Sequence, residues 1–124
     1  MSISISSRKG KGRQLQQSVA KRIFDLIELP WGKDEQIASR EMAQSGTDIR
    51  LVGEAKEIFP WSVECKRQES WGVHNWIKQA KENQMPGTDW LIIAKRNRQD
   101  AVAILDADVF FDILRLIQGR KKGR

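Results

Sequence analysis

Apolar and polar residues along the chain change period several times, and each change predicts an element. From residue 13 to 28, Leu15, Val19, Ile23, Leu26 and Ile27 recur at helical spacing. "LPWGKD" breaks that helix with proline and glycine. A short strand is expected around "IASREM". "SGTDIRLVG" reads as a turn and then a strand, with Ile49 and Leu51 alternating with Asp48 and Arg50. "EAKEIFP" reads as a linking turn, closed by Pro60. "WSVECK" alternates strictly: Trp61, Val63 and Cys65 share one face, and Ser62, Glu64 and Lys66 share the other.

A second helix runs to about Asn83, with Ser70 as candidate cap and Val73, Trp76, Ile77 and Ala80 on its inner face. "WLIIAK" and "AVAILD" form two strands joined by "RNRQD", a hairpin. Asp106 or Asp108 starts a last helix with the stripe Val109, Phe110, Ile113, Leu114 and Ile117, ended by Gly119. The order is helix, about three strands, helix, two strands, helix. It predicts an α/β domain, a mixed central β-sheet flanked by helices.

The length of 124 residues suits one domain, expected over residues 13–119. Residues 1–12, rich in Ser, Gly, Lys and Arg, predict a flexible basic arm, and "RKKGR" at 120–124 a basic tail. The chain has 22 basic and 16 acidic side chains, a formal charge of +6 and a pI near 9.8. That balance favours an anionic partner. The basic residues crowd the margins: six precede Asp25 with no acid among them, and "KRNR" fills the hairpin. The lone Cys65, expected to be buried, excludes an internal disulfide and fits a reducing, cytosolic compartment. With His74 the only histidine, zinc ligation and a hydrolase triad are both disfavoured. No apolar run approaches the roughly 20 residues of a membrane span.

Three residues concentrate the chemistry. Asp48 sits at the mouth of one strand, and Glu64 and Lys66 lie on the next. If the strands pair, two carboxylates meet and repel unless a cation lies between them. Oxygen-only ligands suit Mg²⁺. Such an ion activates water and offsets charge on a phosphate under attack, and Lys66 adds a fixed positive charge. A bare Glu-x-Lys is common; the preceding aspartate and the flanking helices make the pattern more specific.

"SGTDIRL" followed by "FPWSVECKRQESW" resembles the PD-(D/E)XK nuclease superfamily, and "RKGKGRQLQQSVAKRI" is similar to the start of archaeal-type Holliday junction resolvases and their phage-encoded relatives. The resemblance spans about residue 8 to the final helix. It implies an αβββαβ core followed by a C-terminal helix, and a Mg²⁺-dependent phosphodiesterase (Mn²⁺ a possible substitute) that cuts four-way DNA junctions as a homodimer. It also implies no small-molecule cofactor and a cytoplasmic setting, the host's if the chain is phage-encoded. Asp48, Glu64 and Lys66 match the two acids and the lysine, and the metal ligands implied are Asp48, Glu64 and the backbone carbonyl of Cys65. Ser45 matches a loop serine near the scissile phosphate, and Gln79 a helix glutamine.

Two positions depart from the pattern. Thr47 replaces a proline, and Gln16 stands where relatives carry a helix glutamate, with Glu41 as a possible replacement carboxylate. Arg8, Lys9, Lys11, Arg13, Lys95, Arg96 and Arg98 are the expected phosphate contacts. Trp61, Trp76 and Trp90 fall on core stripes, whereas Trp31 and Trp71 could pack a subunit interface or lean on DNA. Two alternatives remain: a nuclease of the same superfamily acting on other branched or duplex DNA, and a DNA-binding module that keeps the fold without the chemistry.

Overall fold

The computed structural model describes residues 5–32, 34–39 and 46–122, with side chains described for 10–32, 34–39 and 46–119. Four helices and five strands follow in the order α1 (Ile5–Ile27), β1 (Ile37–Ser39), β2 (Ile49–Leu51), α2 (Gly53–Ile58), β3 (Trp61–Arg67), α3 (Val73–Asn83), β4 (Asp89–Lys95), β5 (Val102–Leu105) and α4 (Ala107–Lys122). The strands form one sheet in chain order. Among the described strands, β3 and β4 pair in parallel with α3 as the crossover between them, and the other neighbouring pairs, β1–β2, β2–β3 and β4–β5, are antiparallel. This is the expected mixed sheet flanked by helices. No helix among the described residues is long and apolar enough to cross a membrane.

The period-two pattern of β3 sorts the two faces. Val63 is fully buried with Leu15, Val19, Ala20 and Ile23 of α1, and with Ile37, Ile49 and Leu51. On the opposite face, Trp76 and Ala80 of α3 pack on Trp90, Ile92 and Ala94 of β4. Glu64 is in register with Ile92, so it shares the α3 face. The polar face of β3 is therefore not solvated: Ser62 and Glu64 are as buried as the apolar core.

Five local expectations need correction. Helix α1 begins at Ile5, so residues 5–12, expected as part of a flexible arm, continue the helix. Its end is set by Glu28, which turns left-handed at φ 57° and donates its N–H to the Phe24 carbonyl at 2.6 Å. "EAKEIFP" is not a simple turn, because α2 fills it. Ala55 is fully buried, and its N–H donates to Gln36 Oε1 at 2.9 Å. A side-chain acceptor from another segment supplies what local sequence could not show. Ser70 does not cap α3: Gly72 holds that place with no side-chain cap, and Val73 at the helix start is exposed. Gly119 does not end α4, which continues to Lys122. One glycine costs a helix interior only about 1 kcal/mol, and good helix formers follow it. Cys65, expected to be buried, is partly exposed.

Asp106 does start α4, its Oδ1 accepting from the N–H groups of Asp108 and Val109 at 2.9 and 3.2 Å. This is the usual work of an N-cap aspartate. The apolar stripe of α4 joins neither core cluster, and Phe110, Phe111, Leu116 and Ile117 are exposed. Trp76 and Trp90 are core residues as expected, and Trp61 is half-buried against the α1-side core.

Candidate active site

Ile49 of β2 lies opposite Val63 of β3 in an antiparallel ladder. One residue along, Asp48 therefore faces Glu64 on the α3 side of the sheet. Backbone bonds fix the pairing. The Asp48 N–H donates to the Val63 carbonyl at 3.0 Å, and the Cys65 N–H donates to Asp48 Oδ2 at 2.7 Å. The aspartate thus caps the point where β2 joins the sheet and aims its carboxylate across to β3. Before it, Thr47 is buried and donates its hydroxyl to the Ile49 carbonyl at 3.0 Å. That bond restrains the turn just before Asp48.

Helix α3 closes the site from above. Asn83 Nδ2 donates to Glu64 Oε1 at 2.7 Å, and Lys66 Nζ donates to Gln79 Oε1 at 2.9 Å. Gln79 and Asn83 are one turn apart, so one helix face holds both polar residues of β3. Below Asn83, the chain leaving α3 is pinned to the same strand. The Met85 N–H donates to Ser62 Oγ at 2.9 Å, and the hydroxyls of Ser62 and Thr88 are 2.6 Å apart.

Burial pushes Glu64 up from 4.5 to about 7. The Asn83 hydrogen bond opposes this, the charge of Asp48 and a hydrogen bond with it add to it, and Lys66 opposes it. The carboxyl therefore holds a proton near neutrality when no cation is present, a familiar result for two acids forced together. The Cys65 thiol is also pushed well above its ordinary value, by burial first and then by Asp48 and Glu64, so it stays protonated and unreactive. Two carboxylates on rigid strands, with a proton standing in for missing positive charge, are oxygen donors of the kind a hard divalent cation takes.

The other expected residues divide. Gln16 is buried on α1, but among the described residues no hydrogen bond joins it to Asp48 or Glu64. No group of three or more His, Cys, Asp or Glu side chains suited to a metal occurs among the described residues. Ser45 and Glu41 lie outside the described residues. Arg8 and Lys9 fall on α1 with side chains outside the described set, and Arg13 is exposed.

At the hairpin, Lys95 Nζ binds the carbonyls of Gln99 and Arg96 at 2.6 and 3.2 Å, and so closes its own loop. Arg96 lies over Trp71, 4.6 Å from the ring centre, and Trp71 packs on Trp76. Trp71 is therefore tied within the chain, with one face given to a cation. Arg98 is exposed in the turn at φ 60°. Trp31 bridges to Ile37 at the other edge of the sheet. His74 is exposed on α3.

Sequence reasoning missed Asn83, Arg67 and Asn97. Asn83 had a legible signal, lying seven residues after Trp76 on the same helix stripe. Comparison with protein-family models, with curated proteins and with solved structures finds no match.

The Glu64 proton has a stability consequence. An acid raised in the folded state binds more protons folded than unfolded between pH 4.5 and about 7. Its contribution to stability is then fully present below 4.5 and is lost as pH rises through 7. In metal-free buffer at pH 8, Glu64→Gln should raise the melting temperature over wild type, by on the order of 1–3 kcal/mol in stability. The difference should vanish at pH 4. Equal melting curves at both pH values would contradict this.

Proposed function

We propose that the chain is a Mg²⁺-dependent, structure-selective DNA endonuclease of the PD-(D/E)XK superfamily that cleaves four-way (Holliday) junctions by phosphodiester hydrolysis. The observation that carries the reading is Asp48 opposite Glu64 on adjacent strands, with Lys66 next along the same face. The run α1–β1–β2–β3–α3–β4 also follows the αβββαβ order of that superfamily, with α2 as an insertion.

The site lies toward the carboxyl end of the parallel β3–β4 pair, the usual place for ligands in open α/β sheets. Basic residues collect at the same end: Lys66 and Arg67 from β3, Lys95, Arg96 and Arg98 from the hairpin, and Lys11 from α1. Contacts of this kind grip phosphates without reading bases, which suits recognition of DNA shape.

In the hydrolysis, water adds to phosphorus, a P–O ester bond breaks, and the leaving oxygen takes a proton. Asp48, Glu64 and the Cys65 carbonyl would hold Mg²⁺, which when bound makes water more acidic and offsets phosphate charge. Lys66, oriented by Gln79, is placed to stabilise the negative charge that builds on the phosphate oxygens. Asn83 holds Glu64 Oε1 and so restrains the orientation of its carboxyl group beside Asp48.

A second reading has one observation in its favour. Gln16 supplies no third carboxylate and is not joined to the pair, which fits a DNA-binding module that has kept the fold without the chemistry. The intact Asp48, Glu64 and Lys66 set favours the enzyme.

A junction presents two equivalent strands, so a two-fold dimer suits it. Large apolar side chains of α4 are uncovered both on its stripe (Phe110, Leu114 and Ile117) and beside it, where Phe111 is 57% and Leu116 70% exposed, and this is apolar surface of the kind such an interface buries. On the α1 side of the sheet, Leu26, Phe59 and Val102 help line an open groove of about 380 Å³.

With Mg²⁺, wild type should cut a synthetic four-way junction and leave the matching linear duplex largely intact. Glu64→Ala should cut the junction at least about 100-fold more slowly. Equal rates for mutant and wild type, or no cleavage by either, would remove the catalytic reading. Sedimentation should give a dimer that Phe111→Asp converts to monomer. Monomer alone for wild type, with and without junction DNA, would contradict the dimer.

A further inference from the structure

At the carboxyl end of β3, two cations converge on one neutral atom. Asn97 Oδ1 accepts from Arg67 Nη2 at 2.7 Å and from Lys11 Nζ at 3.0 Å. An amide oxygen has two lone pairs, and both are used. The two positive groups therefore sit within two hydrogen-bond lengths of each other. They come from far apart in the chain, Lys11 from α1 and Arg67 from β3, and the hairpin supplies the oxygen between them.

The charge is poorly balanced. Arg67 pairs with Glu69, whose Oε2 is 3.6 Å from Arg67 Nη1 and already accepts the Asn97 N–H at 2.7 Å. The Glu69 side chain is more than half exposed, whereas Arg67 is only 13% exposed. Among the described residues, Lys11 has no carboxylate partner. A largely desolvated guanidinium and an ammonium sharing one uncharged acceptor is the arrangement a phosphate oxygen would complete, since an anionic acceptor binds each donor more strongly than an amide does.

We propose that Lys11, Arg67 and Asn97 form a phosphate subsite, in which a backbone phosphate of the bound DNA joins or displaces the Asn97 oxygen between the two cations. This rests on the nuclease reading for the identity of the ligand. Arg67 lies three residues beyond Glu64 on the same strand, roughly 10 Å away at about 3.3 Å per residue. Its side chain leaves by the opposite face, with Val63 and Cys65. The strand end is where the two faces meet, so the subsite receives a phosphate near the cleaved one, and not the scissile group itself. The function is to hold the strand in register across the sheet end.

The test is Asn97→Asp. A carboxylate at the hub still accepts from Lys11 and Arg67, so a purely structural knot is kept or strengthened. A phosphate subsite is instead filled by the protein's own charge. Binding of a fluorescein-labelled four-way junction, and of a linear duplex in parallel, is followed by anisotropy in EDTA across a salt series, with melting temperatures measured alongside. The expected result is roughly tenfold weaker binding of both DNAs by Asn97→Asp, a salt slope lowered by about 1 to 2, and an unchanged or higher melting temperature.

Arg67→Ala should weaken binding in the same direction. Wild-type affinity and slope for Asn97→Asp would overturn the subsite, as would failure of wild type to bind either DNA. If Asn97→Asp does not fold, Lys11→Gln decides: a slope lowered by about 1 supports the subsite, and an unchanged slope overturns it. Lost cleavage with these binding effects intact would remove the nuclease reading and leave the subsite standing.

Discussion

Two acidic side chains are held side by side where β2 meets β3, and the rest of the site follows from that constraint. Two like charges brought close together repel, and more strongly at the lower effective dielectric of a protein than in water. Removal from water raises the cost further. The fold accepts this cost because the sheet fixes both backbones. Asp48 is locked by its N–H on the Val63 carbonyl and by the Cys65 N–H on its carboxylate. Glu64 is held from the other side by Asn83. A proton on Glu64 relieves the repulsion when nothing else is present. Such a site costs stability and is suited to a cation.

Helix α3 is the element that turns this arrangement into a site. Its apolar residues Trp76 and Ala80 dock it on β4, and its polar residues Gln79 and Asn83 fall over β3 as a consequence of helical spacing. Docking and orientation are thus one event. The parallel β3–β4 pair that α3 connects also brings the hairpin beside the end of β3. Through Asn97 that hairpin reaches Lys11 of α1, so the basic groups are braced against three different elements. A charged surface fixed in this way loses less side-chain entropy on binding than one made of loose arms.

Much of this was legible in the chain. The alternation in "WSVECK" placed Glu64 opposite Val63 in direction, and the turn before Ile49 placed Asp48 at a strand mouth. Their convergence needed only the pairing of those strands. What could not be read was the state of the polar face. A strand with Ser, Glu and Lys at alternate positions looks solvated, and only the docking of α3 buries it. The residues missed share a cause. Asn83, Arg67 and Asn97 act through partners 19 to 86 positions away, and no local pattern reports such contacts. The α2 helix was missed for the same reason, because Gln36 caps it from another segment. The apolar stripe of α4 was read correctly as a stripe, yet it leaves most of its large side chains uncovered within the chain.

The coupling of Asp48 to Glu64 can be measured without any assay of activity. In protein carrying ¹³C-labelled glutamate, the carboxyl resonance of Glu64 would be followed with pH in metal-free buffer, in wild type and in Asp48→Asn. The account predicts a wild-type midpoint near 7, a lower midpoint once Asp48 is uncharged, and a shift of the wild-type midpoint to lower pH when Mg²⁺ is added. A Glu64 that titrates in the ordinary carboxylate range, unmoved by Asp48→Asn and by Mg²⁺, would contradict it.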